Sequence, residues 1–237
     1  MTDDYRYEGD ELTLFREAHR WKAYLREEIR RDVRGSVLEV GAGLGGTTRV
    51  LRDVTDPAWT CLEPDASLCA QLRAEVSSLP SPDKIEVREG TLASMPDELR
   101  FDTILYVDVL EHIADDREEL ARAAEHLAPG GAVIVLSPAH QWLFTPFDTA
   151  VGHHRRYALD ALRALTPAGT TMTRADYLDS VGLLASLGNR LLLRQGMPTP
   201  KQIALWDRVM VPLSRHLDPA LRNRVGKSVL GVWRKTA

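Results

Sequence analysis

The segment Ser36–Gly46 constrains this chain more than any other. A short apolar run, Ser36–Val40, passes straight into Gly41-Ala42-Gly43-Leu44-Gly45-Gly46, and Thr47–Asp53 follows with helical character. Strand, glycine turn and helix in that order put free backbone N–H groups and the positive end of a helix dipole at the strand's carboxyl edge. Glycine allows both the tight turn and the close approach of a ligand to the backbone. The next strand, Ala58–Glu63, ends on an acid 22 residues after Gly41. That is near the roughly 20 expected of a carboxylate that holds ribose hydroxyls in a nucleoside-binding fold. The pair points to an adenosine-containing cofactor.

The alternation continues on both sides. Residues 11–34 carry Leu14, Ala18, Trp21, Leu25 and Ile29 at helical spacing, with Gly35 to end the helix. Ala66–Ser77 reads as a helix, Lys84–Glu89 and Phe101–Val107 as strands, and Asp115–Leu127 as a helix closed by Pro129-Gly130-Gly131. Ala132–Ser137 is another apolar strand. Strands alternating with helices imply an α/β fold whose parallel sheet is covered on both faces. The pattern breaks at residues 138–157, a long connection rich in aromatics, His and Arg, as functional lids often are. Thr170–Leu178 then resembles a strand, 181–194 and 202–217 helices, and Ser228–Arg234 a last strand; Pro212 is expected to kink or split the second helix.

At 237 residues, 44% apolar and 27% charged, the chain is of ordinary globular composition. Its formal charge of −4 gives no case for nucleic-acid binding. The balance is uneven, however. Val181–Ala237 holds ten Lys/Arg against two Asp/Glu, a net +8, and the other 180 residues carry −12. Cys61 and Cys69 are too few for a disulfide framework and read as packing residues. The acidic start lacks the order of a signal peptide, and the richest apolar run, VGLLASLGNRLLL, is broken by Arg190. A cytoplasmic protein is expected, with no internal repeat and no linker.

Four segments carry a resemblance. VLEVGAGLGG resembles motif I of the class I methyltransferases that use S-adenosylmethionine, LEPD their ribose-binding acidic turn, FDTILYVDVLEHI their fourth strand and following loop, and LAPGGAVIVLSP their conserved helix end and fifth strand. LFREAHRWKAYLREEIRRDVRGSVLEVGAG, GHHRRY and VGKSVLGVWRK resemble a bacterial subgroup often encoded beside, or fused to, glycosyltransferases. The resemblance implies a Rossmann-like fold with a mostly parallel seven-stranded sheet, an antiparallel last strand, an extra N-terminal helix and helical elements over the substrate. It implies one methyltransferase domain over 1–237, with an N-terminal cover (1–35), a cofactor-binding core (36–137) and a substrate-facing lid with the C-terminal strands (138–237).

By that resemblance, the backbone of Gly41, Ala42, Gly43 and Gly45 approaches the methionine part of S-adenosylmethionine, and Glu39 supports the turn or the ammonium group. Glu63, followed by Pro64, holds the ribose. Gly90, Thr91 and Leu92 lie where the family binds the adenine edge, although the family commonly has Asp at the position of Thr91. Asp108 and Val109 flank the cofactor, and Trp21 and Tyr24 either cover its methionine end or pack their helix.

Methyl transfer from a sulfonium needs an acceptor held in line, water excluded, and a base where the acceptor must lose a proton. His112, after the fourth strand, is the first base candidate, since an imidazole suits proton transfer near neutrality; it can equally order its loop. Glu111 reads as structural. His153 and His154 are the next candidates. Arg155 and Arg156 could clamp a phosphate or carboxylate, with Tyr157 beside them, or could anchor the loop to acids of the domain. His140 and Trp142 are weaker candidates for an acceptor pocket. No metal-ligand spacing stands out, so no metal is expected. The basic C-terminal segment can solvate helices, attract an anionic substrate, or make a weak peripheral contact with an anionic membrane.

The reading is methyl transfer to O or N of a small molecule or glycoconjugate, in saccharide or secondary-metabolite biosynthesis. The alternatives are an NAD-dependent oxidoreductase, which also explains the glycines and Glu63, and a non-catalytic S-adenosylmethionine-binding protein.

Overall fold

A computed structural model describes residues 15–52, 58–188, 190 and 198–236. Seven strands form one sheet: β1 (Val37–Val40), β2 (Trp59–Glu63), β3 (Ile85–Glu89), β4 (Phe101–Val107), β5 (Leu127–Pro138), β6 (Thr170–Leu178) and β7 (Ser228–Lys235). Their spatial order is β3-β2-β1-β4-β5-β7-β6. The pairings from β3 through β5 are all parallel, and β7 runs antiparallel to both β5 and β6. The order reverses beside β1, between β1 and β4, and doubly wound sheets bind ligands at such a switch point.

Alternation along the central strands divides the core. Leu105, Ile134 and Leu136 pack on one face with Trp21, Tyr24 and Ile29. Ile104, Tyr106, Val133 and Val135 pack on the other with Leu162 and Trp233. Period-2 strands buried on both faces account for the near-continuous apolar runs of the sequence.

The helices are α1 (His19–Ile29), α2 (Gly46–Leu51), α3 (Ala66–Val76), α4 (Asp116–Glu125), α5 (Pro146–Ala150), α6 (Leu159–Ala164), α7 (Ser180–Gly188), α8 (Pro200–Leu205) and α9 (Val211–Ala220). Asp65 starts α3 by accepting the N–H groups of Ser67 and Leu68 at 2.7 and 3.1 Å. The first part of the expected helix over 11–34 and most of residues 189–197 lie outside the described residues.

Two boundaries differ from expectation. Strand β5 begins at Leu127, so Pro129-Gly130-Gly131 lies inside it and not at a helix end. Its pairing with β4 shifts register between Phe101 and Thr103, and that irregularity accommodates the Pro-Gly-Gly segment. Between α8 and α9, residues Trp206–Met210 form a π-helical turn just ahead of Pro212. Proline donates no N–H, and the wider turn carries the chain past it without a break.

Part of the basic charge near the C-terminus is matched by acids in and just after α1: Arg215 pairs with Glu27 at 2.6 Å and Arg234 with Asp32 at 2.9 Å. Arg174 of β6 pairs with Glu28.

Candidate active site

The glycine turn leaves β1 with Gly41, Gly43 and Gly45 at φ +65°, +53° and +75°, in the left-handed region. A Cβ on Gly41 would lie 2.7 Å from Cγ2 of Val109, so the turn packs directly on the loop after β4. Beneath the turn, Glu39 is buried and accepts the Thr48 hydroxyl at 2.5 Å and the Trp59 indole N–H at 3.0 Å. Burial pushes its carboxyl up to about 7 against those two hydrogen bonds. Glu39 thus ties β1, β2 and α2 together under the turn.

Glu63 closes β2 and accepts the N–H of Gly43 on one oxygen at 2.8 Å and that of Asp65 on the other at 3.0 Å. Burial raises its carboxyl, and the two N–H donors oppose the rise. Each carboxylate oxygen has a second lone pair, so the two hydroxyls of a ribose fit the acceptors that remain. Gly90 donates its N–H to the Glu63 carbonyl at 3.0 Å, which sets the third loop beside the second. Thr91 is exposed there, Pro64 is half-buried, and the Leu92 side chain belongs to the core. The residues fit a bound adenosine.

After β4, Asp108 takes φ +54°, is exposed, and is held by its N–H to the Leu136 carbonyl at 2.9 Å. Glu111 is fully buried; its Oε2 accepts the Ser137 hydroxyl at 2.9 Å, and its Oε1 has no hydrogen-bond partner. The ring of His112 meets that of His153 edge-on at 4.6 Å. Burial, with His153 and His154 close by, pushes His112 down to about 4, so it is neutral at pH 7.

The loop between β5 and α6 is organised around Asp148, a buried residue to which the sequence drew no attention. It accepts Nδ1 of His153 at 2.9 Å and both Nε and Nη2 of Arg156, at 2.7 and 3.0 Å. Burial alone would raise its carboxyl, but the hydrogen bonds from His153 and Arg156 and the Arg156 charge hold it down at about 2. Arg155 pairs with Asp116 at 2.6 Å, and Asp116 also accepts the hydroxyl of buried Tyr157 at 2.8 Å. Both guanidiniums considered for an anionic acceptor are therefore paired inside the protein. His154 is exposed, and its backbone N–H fastens the loop to the Glu111 carbonyl at 2.8 Å. The signal in the sequence was Asp148 itself, five residues ahead of His153 within one connection.

His140, just past β5, stacks on Tyr177 at 4.7 Å and lies 5.3 Å from the exposed Trp142, ring to ring. Its Nε2 pairs with the Gly226 carbonyl at 3.0 Å, and burial lowers its pKa.

The cover is cross-braced. Asp207 of the π turn accepts the N–H of Trp21 at 2.9 Å, and Trp21 and Trp206 meet at 5.6 Å. Tyr24 is buried and donates to Asp218. Asp179 accepts the Trp206 indole and the Ser214 hydroxyl, both at 2.6 Å. Lys227 sits 3.6 Å from Asp179 and 3.8 Å above the Trp206 ring. Desolvation lowers this lysine, against the pull of Asp179 and Asp108. Asp179, Asp207, Asp218 and Lys227 carry no local motif, and only the fold brings them together.

A doubly wound sheet with a glycine turn at its switch point, and a loop of acid and imidazole beside it, defines a Rossmann-like α/β protein. The chain belongs to the family of the methyltransferase domain, whose model matches residues 11–181, and it is a class I S-adenosylmethionine-dependent methyltransferase. It is 27% identical over 197 residues to trans-aconitate 2-methyltransferase of Deinococcus radiodurans, covering 78% of this chain and 72% of that protein. The fold is similar to that of a methyltransferase from Haloferax volcanii solved with its Trm112 activator (TM-score 0.67, 16% identity, 98% of this chain and 96% of that one). It is also similar to that of the glycopeptide N-methyltransferase MtfA in complex with S-adenosylmethionine (TM-score 0.58, 19% identity, 91% and 94%). Family membership sets the oxidoreductase alternative aside.

Proposed function

We propose that this chain, working as one methyltransferase domain in the cytoplasm, methylates an oxygen or nitrogen of a small molecule or glycoconjugate, in saccharide or secondary-metabolite biosynthesis. The Asp148–His153 pair beside the loop after β4 carries the reading. Bound S-adenosylmethionine supplies an electrophilic methyl carbon on a sulfonium. The backbone of the glycine turn and Glu63 hold the cofactor, and Val109 fixes the turn. A carboxylate only accepts, so Asp148 keeps a proton on Nδ1 of His153 and leaves Nε2 as the atom that takes the acceptor's proton. His112 is too weak a base for that task and serves as a hydrogen-bond acceptor that orients the substrate. His140, Tyr177 and Trp142 form an aromatic shelf suited to a sugar or phenol ring. Arg155, Arg156 and Tyr157 position the loop through Asp116 and Asp148.

Calorimetry with S-adenosylhomocysteine and a labelled-methyl assay over sugars, phenols and amines test this. Binding, with transfer that falls in His153→Ala at unchanged cofactor affinity, is expected. A folded protein that does not bind S-adenosylhomocysteine overturns the reading, and full activity of His153→Ala across pH removes His153 as the base.

A peripheral membrane contact completes the proposal. Leu205, Val209, Leu213, Leu217 and Leu221 recur every four residues through α8, the π turn and α9, each between 44 and 53% exposed. Lys201, Arg208, Arg222 and Arg224 are exposed around them, whereas Asp207 and Asp218, the acids of the segment, are buried. Apolar and cationic surface, whose neighbouring exposed acid Glu27 is paired to Arg215, matches an anionic lipid interface. No helix among the described residues is long and apolar enough to cross a membrane. Sedimentation with anionic but not neutral vesicles, lost in Leu213→Glu/Leu217→Glu, is expected; equal recovery with both vesicle types rejects the contact.

A further inference from the structure

We infer that Glu111, His112 and His153 form a binding site for a divalent first-row transition ion. One ligand atom from each lies within 4.8 Å of the other two. The independent observation is the orphaned oxygen. Oε1 of Glu111 is buried without a hydrogen bond, 3.9 Å from Nε2 of His153. A buried carboxylate oxygen with no donor is costly, and a cation removes that cost.

Glu111 and His153 have outer partners of the kind metal sites use. Asp148 accepts from Nδ1 of His153 and so turns the Nε2 lone pair toward Glu111. Ser137 fixes the other oxygen of Glu111 at 2.9 Å, leaving Oε1 to face the imidazoles. Bonds of about 2.0–2.2 Å require the three atoms to close from their present spacing. His112 lies in the loop after β4 and His153 in the loop after α5, so the closure falls on loop segments and not on the sheet.

Ligand chemistry selects the ion. Two imidazoles and one carboxylate suit zinc, cobalt, iron or nickel, whereas magnesium and calcium favour all-oxygen sets. Three protein ligands leave a position open for water or an acceptor atom. The site stands on this geometry and not on the identity of the methyl acceptor. It does share His153 with the proposed proton transfer, so a bound ion and a proton compete for the same lone pair.

The test is titration of chelator-treated full-length protein with Co2+, followed by visible absorption, with Zn2+ as competitor. One Co2+ per chain, displaced by Zn2+, is expected. Glu111→Gln and His153→Ala should each weaken binding by about a hundredfold or more, and Asp148→Asn by about tenfold, in line with the effects of lost inner and outer partners. His216→Ala, exposed on α9, should leave it unchanged. S-adenosylhomocysteine calorimetry on every variant reports the fold and the cofactor site separately. If Glu111→Gln does not fold, His153→Ala carries the test. No cobalt absorption from the folded wild type, or absorption that survives in His153→Ala, overturns the site and leaves Oε1 of Glu111 to a proton or a bridging water.

Discussion

The hydroxyl of Tyr24 donates to Oδ2 of Asp218 at 2.6 Å, across 194 residues of sequence. Asp218 also accepts the N–H groups of Asp179 and Ser180, at 2.6 and 3.0 Å. One buried carboxylate therefore joins α1, α9 and the start of α7. Burial first, then the bond to Asp218 and its charge, pushes the Tyr24 phenol far above its ordinary value, so the hydroxyl keeps its proton and donates at any working pH. Tyr24→Phe removes one donor to a buried charge, and a loss of about 1–3 kcal/mol is expected. Urea unfolding of the two proteins measures it. Equal midpoints would show that water replaces the hydroxyl.

Gly41→Ala meets two obstacles at one site: a left-handed backbone and a Cβ position 2.7 Å from the Val109 side chain. A loss of about 1–3 kcal/mol and weaker S-adenosylhomocysteine binding are expected. Adding Val109→Ala should recover the part due to the clash and leave the part due to φ. A double-mutant cycle on thermal unfolding separates the two, and simple additivity would show that the side chains do not meet.

Glu63→Gln is expected to be nearly as harmful to cofactor binding as Glu63→Ala. Both oxygens of Glu63 accept backbone N–H groups, so an amide must turn an NH2 toward one of them. Calorimetry with S-adenosylhomocysteine should show a loss of about tenfold to a hundredfold for either variant, the range for a hydrogen bond to a charged group. Glutamine binding as tightly as glutamate would place the ribose elsewhere.

Glu39 makes stability depend on pH. In the folded protein it holds its proton up to about 7, and in the unfolded chain it ionises at the ordinary carboxylate value of 4.5. Between those values the folded state binds the proton and the unfolded state does not, so stability falls as pH rises. The loss is about 3 kcal/mol in order of magnitude and is complete above about pH 7. Unfolding midpoints between pH 5 and 8 should decline in the wild type and stay flatter in Glu39→Gln. Parallel curves for the two proteins would assign the decline to other groups.

What could be read in advance followed the range of the interactions. The turn from Gly41 to Gly46, the acid at Glu63 and the sheet's central strands are written in neighbouring residues, through spacing and period. The start of β5 at Leu127 was hidden because Pro129-Gly130-Gly131 reads locally as a stop, while pairing with β4 overrides it. Helix α6 gave no periodic signal strong enough to mark it. The π turn depends on the packing of Trp206 against Trp21 as much as on Pro212. Asp179 and Lys227 went unmarked for one reason. A buried charge is recognised by its partners, and the partners of Asp179 and Lys227 are distant in the chain.

Strand β7 lies between β5 and β6, yet it is the last of the seven in sequence. During translation, therefore, neither neighbour can complete its pairing until the final strand leaves the ribosome. Until then β5 presents an open edge of unpaired backbone groups and β6 has no place in the sheet. Such an unsatisfied edge is a template for aggregation, and burdens of this kind fall on chaperones. The bond from the Ala139 N–H to the Lys227 carbonyl, at the end of β5, likewise waits for the C-terminal segment.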